Sequence, residues 1–226
     1  MRPINARDRL VAAGRRLLET EGAEALQARR IATEAGLSTM ALYTHFDGLP
    51  GLLDALIDES YQRFAATLAG APRTGDPLTD LFTLGLTYRA FALDSPQRYR
   101  LMLGLTNNRP GPCEPIDRAA TGPPPAADDA AFGELVRAVE AVIGTGQVRA
   151  DPAVAVAGRL WTVVHGAVLL ELAGFFGPDE ATALGNLAAI QVDLLVGMGA
   201  ERDRAVSAQL RAHTDRPIEP AGKRIL

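Results

Sequence analysis

The side chains best suited to chemistry in this chain are recognition groups, and they are concentrated between Gln27 and Phe46, in QARRIATEAGLSTMALYTHF. Arg29 and Arg30 carry guanidinium forks, Thr39, Tyr43 and Thr44 carry hydroxyls, and His45 carries an imidazole. Read as helix, tight turn, helix, the stretch puts Ile31, Ala32, Ala35, Leu37, Leu42 and Phe46 on one inward face. Arg29, Arg30, Thr39, Tyr43 and His45 are left outside. The turn is written in Ala35-Gly36-Leu37-Ser38: Gly36 can take the left-handed conformation that ends a helix, Leu37 can pack back between the two helices, and Ser38 has an oxygen to cap the next one. The expectation is a helix-turn-helix.

Reactive chemistry finds no comparable constellation. There is no glycine-rich phosphate loop, no nucleophile elbow and no HExxH run. His45, His165 and His213 are scattered, so no metal site is expected, and no cofactor is implied. Glu171 follows His165 by six residues and falls on another helical face, so the two form no local catalytic pair. The single cysteine, Cys113, excludes an intramolecular disulfide and a multi-cysteine zinc site, and reads as a loop thiol. An enzyme is not expected.

At 226 residues, 47% hydrophobic and 22% charged, the chain can bury a substantial core. The net charge of -4 argues against coating nucleic acid by bulk charge, so local charge decides. Up to Phe46, Arg2, Arg7, Arg9, Arg15, Arg16, Arg29 and Arg30 face Asp8, Glu19, Glu21, Glu24 and Glu34, which makes this segment mildly basic within an acidic chain. MRPINARDRL returns to charge at once and lacks the apolar core of a signal peptide, so secretion is not expected and a reducing cytoplasm is the simplest setting.

These recognition groups need helices to hold them. Asn5 and Asp8 resemble a capping box opening a first helix to about Glu21, whose exposed Arg9 and Arg16 read as a solvated surface. The second helix opens near Gln27 and the third at Ser38. Asp47-Gly48 breaks the third, with Asp47 able to cap a long fourth helix that has Pro50 in its first turn. Gly70 to Pro77 reads as a break between domains. Further helices are expected from Leu78 to Leu93, from Pro96 through Leu105, and over Phe132 to Ile143, with a long loop from Thr106 to Asp128.

Asp151-Pro152 reads as a cap and first-turn proline launching AVAVAGRLWTVVHGAVLLELAGFF, a helix apolar nearly all round and expected to be buried on several sides. Arg159 and Glu171 leave too short a charge-free run for a bilayer, so no membrane span is expected. A second apolar helix is expected from about Glu180 to Met198. Two neighbouring helices this apolar predict a homodimer interface as well as a core. The end of the chain reads as a short helix over Arg202 to Arg211 and a disordered tail.

With Tyr43-Thr44-His45-Phe46 closing IATEAGLSTMALYTHF, the first sixty or so residues resemble the TetR/AcrR family of transcriptional regulators. The resemblance implies an all-α fold: an N-terminal helix-turn-helix bundle (residues 1–48), joined by a long fourth helix to a larger ligand-binding and dimerisation domain (49–200), then a short helix and tail (201–226), about nine helices in all. Its partners would be a palindromic operator in double-stranded DNA, a second copy of the chain and an unknown small-molecule effector. Thr39, Met40, Ala41 and Tyr43 become candidates for base contact, with Tyr43, Thr44 and His45 for phosphate. Arg29 matches a place where relatives approach the DNA edge, with Arg30 beside it, and Gln27 and Ser38 open the two helices. The competing reading packs Tyr43 on the first helix and uses His45 as a helix cap. Leu49 stands where relatives usually carry a phosphate-binding lysine, and Gln27 where serine or threonine is common, which predicts modest affinity and a shallow salt dependence.

Trp161, His165 and Gly166 in LWTVVHGAVLLELAGFF, together with SPQRYRLMLG at Ser95 to Gly104, resemble one subgroup of the family, marked by tryptophan, then histidine-glycine. Trp161 and His165 share a helical face and could line an effector pocket, or be a core tryptophan and a histidine satisfied by a carbonyl, with Gly166 allowing close helix approach. Phe82, Leu86, Phe91, Tyr99, Met102, Trp161, His165 and Leu169 are the candidate pocket residues, being large and apolar or amphipathic. The resemblance implies a ligand-responsive repressor; the alternative is a small-molecule-binding or enzymatic helical domain with a vestigial helix-turn-helix.

Overall fold

The computed structural model describes residues 5–106 and 126–214. Within them are ten α-helices, one more than expected, and no strand. In chain order these are α1 (Ala6–Glu21), α2 (Ala28–Ala35), α3 (Thr39–Phe46), α4 (Leu49–Ala69), α5 (Pro77–Asp94), α6 (Pro96–Met102), α7 (Ala126–Gly144), α8 (Ala153–Leu172), α9 (Glu180–Gly197) and α10 (Arg202–Thr214), with a short 3-10 turn at Ala23–Ala25. Cys113 and most of the expected 106–128 loop lie outside the described residues, as does the tail after Thr214. Helix α7 starts before the expected loop was to end.

The chain divides into two compact units, residues 1–66 with 91–131, and 67–90 with 132–226. Helices α4 and α5 therefore each run from one unit into the other.

The first unit is built on Leu10, Leu17 and Leu18 of α1, Ile31 and Ala35 of α2, Leu42 and Phe46 of α3, and Leu52, Leu53 and Leu56 of α4. The Asn5 side chain accepts from the Asp8 amide at 2.8 Å and starts α1 as its spacing predicts. Close packing is set by two glycines. A Cβ at Gly14 would meet Leu56 at 3.0 Å, and one at Gly51 would lie 1.9 Å from the Phe46 carbonyl oxygen, a collision with backbone. At the far end Arg98, buried at the start of α6, donates to Glu19 of α1 at 3.1 Å and to Asp94 at 3.0 Å, and lies over the Phe91 ring. The Tyr61 hydroxyl donates to the Met102 carbonyl at 3.0 Å.

The second unit holds most of α5, with α7 to α10. Helix α8 begins at Ala153 with Pro152 itself at the cap position and no capping side chain; the Asp151 carboxylate is taken instead by Arg149 and Arg159. Those side-chain bonds hold the exposed carboxyl below the usual range. Asp179 caps α9 through the Ala181 amide at 3.1 Å.

Helix α8 is less buried than its composition predicts. Val156, Ala157, Leu160, Val164 and Val168 are covered, whereas Val154 and Leu170 are exposed, as is Ile190 on α9. A Cβ at Gly158, Gly166 or Gly185 would meet nothing within 4 Å, so Gly166 admits no close helix within its own chain. By length and composition α8 could cross a membrane. Its Arg159 and Glu171, however, bond Asp151 and Arg89 of the protein.

Arg89 fixes the α8–α9 connection to α5. It is 1% exposed, and its guanidinium donates to Glu171 at 2.8 and 2.5 Å and to Glu180 at 3.2 Å. Burial alone would lower the pKa of this cation; the bonds and charges of Glu171 and Glu180 outweigh it and raise the pKa. Helix α10 is no loose appendage: Ala205, Ala208 and Ala212 are buried, and Arg211 donates to Asp76 at 2.7 Å.

Candidate nucleic-acid interface and ligand cavity

Helix α2 ends at Gly36, which takes the left-handed conformation (φ 63°) that the turn requires. Leu37 packs on the core as expected. Ser38 occupies the cap position of α3 with extended backbone, but its side chain makes no capping bond, so the cap oxygen read from its residue type is unused. The last carbonyls of α2 are satisfied from elsewhere: Arg9 reaches across from α1 and donates to the Ala35 oxygen at 2.6 Å and the Gly36 oxygen at 3.2 Å. Arg16 bonds Glu34 at 2.9 Å. Neither arginine is idle solvated surface; both tie α1 to α2.

At its other end α3 stops on Asp47, itself left-handed (φ 56°). Asp47 therefore terminates α3, where its residue type suggests a cap for α4. Leu49, in the place of the expected lysine, packs on the core of the head and contributes apolar cohesion there instead of a charge.

The surface of α3 is open. Met40 is 69% exposed and Tyr43 61% exposed, and Thr39, Thr44 and His45 are exposed beside them, with Ala41 half-buried. Tyr43 is thus not packed on α1. Large apolar surface at water's edge is costly unless something covers it, and a methionine and a tyrosine on the outer face of a two-turn helix suit the base edges and walls of a major groove. The two arginines of α2 differ. Arg30 is held by Glu21 at 2.5 Å, whereas Arg29 is exposed and makes no ion pair among the described residues. Gln27 turns back, donating to the Glu24 carbonyl at 3.2 Å and capping nothing.

The second unit contains a cavity of about 350 Å³, its open mouth included. Of the eight expected pocket residues only Trp161 lines it. Phe82 and Leu86 are buried and Leu169 half-buried in the same unit, outside that lining, and Phe91, Tyr99 and Met102 belong to the other unit. His165 Nδ1 is hydrogen-bonded to the Tyr88 hydroxyl at 2.8 Å. Trp161 stands edge-on to Tyr88, with ring centroids 5.2 Å apart and planes at 88°, and edge-on to Phe132 at 5.7 Å. The lining residues that sequence reasoning missed include Tyr88, Gly85 and Gln191. Gln191 had a signal, being the lone uncharged polar residue of LAAIQV in an otherwise apolar run.

With that geometry in view, comparison with known proteins is specific. Residues 10–56 match the model of bacterial regulatory proteins of the tetR family, and residues 81–195 match the tetracyclin repressor-like C-terminal domain. The chain belongs to the TetR family and is a helix-turn-helix, DNA-binding transcriptional regulator. The HTH-type transcriptional regulator Rv1816 of Mycobacterium tuberculosis is 28% identical over 221 residues, covering 85% of this chain and 92% of that one. The solved structure of the regulatory protein SCO4313 is 30% identical with a TM-score of 0.63, covering 84% of this chain and 95% of that one. RolR, solved in complex with resorcinol, shares the fold at 14% identity and a TM-score of 0.64, covering 96% of each chain. The matched C-terminal domain contains Trp161, His165 and Gly166; the tryptophan-histidine-glycine subgroup is a resemblance of those residues only.

Proposed function

We propose that this regulator is a repressor whose two copies read the half-sites of a palindromic operator and release it when a small molecule enters the cavity beside Trp161. In this reading residues 1–48 form the DNA-reading head and residues 49–200 carry effector binding and dimerisation. The observation that carries it is the exposed pair Met40 and Tyr43 on α3, flanked by Arg29, which makes no ion pair among the described residues. Thr39, Met40, Ala41 and Tyr43 meet base edges, while Tyr43, Thr44, His45 and Arg29 hold phosphates; Gln27, Arg30 and Ser38 lie at the margin. The subunits pair through the exposed apolar face of α8 and α9 around Gly158, Gly166, Leu170 and Ile190. RolR, a neighbour in fold, was solved with resorcinol, a small phenol, which supports a compact effector. A cytoplasmic site of action follows from the proposed role on DNA, and no catalytic role is proposed.

Effector binding shifts the population toward a spacing of the two heads that no longer fits the operator, with α4 as the carrier. The test is a gel shift with DNA from upstream of the chain's own reading frame. A specific complex is expected from the wild type, and a loss of at least about tenfold in affinity from Tyr43→Ala. No specific complex, or one unchanged by that substitution, sinks the reading and favours a vestigial helix-turn-helix.

A further inference from the structure

The cavity beside Trp161 has an unusual polar account. Gln191 lines it and is 5% exposed as a residue; no described residue hydrogen-bonds its amide, whose polar atoms keep access to the cavity and are not sealed in the core. A primary amide offers two donors and one acceptor, and one open to a cavity can exchange water for a ligand's polar group. Here the amide is held against α5 at the one place where α5 has no side chain: a Cβ on Gly85 would lie 2.5 Å from the Gln191 Nε2. Gly85 thus leaves room for the amide, which stays in the cavity wall.

The rest of the wall defines what such an amide could meet. Leu81, Leu84, Leu135, Leu160 and Val164 are aliphatic, and the perpendicular Trp161 and Tyr88 rings make an aromatic corner. No charged side chain lines the cavity among the described residues. A neighbouring cavity of about 530 Å³, which shares Leu68 and Leu84, does carry Arg73, Asp80, Glu134 and Arg137. Its charges are already engaged. Glu134 takes Arg137 at 2.5 Å and Arg73 at 3.7 Å, and Asp80 accepts from the amide and hydroxyl of Thr74 at 2.6 and 2.8 Å. A ligand carboxylate or ammonium would lose its hydration and find no free counter-charge.

We infer that Gln191 is the polar anchor of the effector site, and that the effector is a compact, uncharged, mostly apolar molecule with a ring and a hydroxyl or carbonyl that hydrogen-bonds the Gln191 amide. This rests on the reading of the cavity as the effector site. The size is set by the cavity, whose enclosed free space of about 20 Å³ has room for about one water, so the effector is compact and the walls must move apart to admit it. The preference for a polar group is set by the amide, which a pure hydrocarbon would leave unpaired.

The chain has a single tryptophan, and it lines this cavity, so its emission reports occupancy directly. The experiment titrates the full chain with benzyl alcohol, toluene and benzoate, matched in size and differing in one group, against the wild type, Gln191→Met and Gly85→Ala. Saturable binding of benzyl alcohol is expected, with no saturation by benzoate. Gln191→Met should weaken benzyl alcohol by about fivefold and leave toluene unchanged or tighter, the factor a single neutral hydrogen bond commands. Gly85→Ala crowds the amide and should have the same selective effect, which keeps the test open should Gln191→Met fold poorly. Benzoate binding more tightly than benzyl alcohol, substitutions that weaken benzyl alcohol and toluene alike or neither, or no saturable response to any probe overturns the inference. Operator binding is read separately: a chain that binds DNA but fails the titrations loses the anchor and remains a regulator, and one that titrates as expected without binding DNA does the reverse.

Discussion

The Arg9 guanidinium lies 2.6 Å from the Ala35 carbonyl oxygen, closing the end of α2 from the first helix of the head. Hydrogen bonds from a charged donor to the last carbonyls of a helix also complement its dipole. Arg9 therefore positions the turn that presents α3, without needing to touch DNA. Arg9→Ala should cost about 1–2 kcal/mol of stability and lower operator affinity with little change in the slope of affinity against salt. Arg29→Ala should do the opposite, leaving the melting temperature in place while lowering that slope by about one for each phosphate the arginine no longer neutralises. Thermal melts and gel shifts at several salt concentrations separate the two. Equal salt slopes for both variants would remove the assignment of Arg29 to phosphate.

What the sequence made legible was local. Gly36 and Leu37 could be read because a helix stop needs a left-handed residue and the next apolar side chain then has one place to go. Residue type indicates a cap oxygen at Ser38 and Asp47 but not its use: Ser38 has the extended cap backbone with its side chain turned to no capping bond, and Asp47 is left-handed and ends α3. The roles of Arg9, Gly51 and Arg89 depend on residues 26, five and 82 positions away or on backbone approach, which no spacing rule contains. The pocket residues failed for a related reason. Large apolar side chains such as Phe82 and Leu86 fill core as readily as they line a cavity, and burial gains decide for core. The residue that stood out chemically, Gln191 in an apolar helix, was the better guide.

The Arg89–Glu171 pair yields an asymmetric expectation. Arg89 is almost wholly buried and is bonded twice by Glu171, while its other partner, Glu180, is largely in water. Removing the carboxylate strands a cation in the core. Glu171→Leu should cost about 3–5 kcal/mol. Arg89→Met in the Glu171→Leu background should recover most of it, since two apolar side chains of similar volume can replace a buried pair. Chemical denaturation of the two single variants and the double variant closes the cycle. A double variant no more stable than Glu171→Leu would mean that the pair does more than satisfy its own charges.

Asp76 gives a prediction with a defined pH sign. Burial would raise its carboxyl pKa, but hydrogen bonds from Thr79 and Arg211 and the charges of Arg211 and Arg204 prevail and hold it below 3.8. A group with a depressed folded pKa stabilises above its unfolded value and loses that contribution as pH falls through the folded one. Relative to Asp76→Asn, the wild type should be more stable by about 1 kcal/mol at neutral pH, a modest figure because both arginines are half in water. The difference should vanish in acid, below the ordinary carboxylate range. Melting temperatures of both proteins across pH read it out; a gap that persists in acid would assign the effect to lost packing of α10 instead of charge.

Gly166 offers the sharpest test of how the subunits meet. It sits in the interior of α8, where alanine ordinarily stabilises a helix by about 0.8–1 kcal/mol. Within one chain an added methyl group there meets nothing within 4 Å. If α8 remained as exposed in solution as it is in the single chain, Gly166→Ala would raise the melting temperature and do nothing else. If a second subunit packs on this face, the same methyl group sits between two backbones and must push them apart. The expected outcome is therefore a weaker dimer, seen as a shift toward monomer in light scattering at micromolar concentration, with a matching loss of operator affinity. Ile190→Arg should go further and give a folded monomer, because a charge on α9 cannot be desolvated against an apolar partner. A stabilised, fully dimeric Gly166→Ala would move the interface away from this face.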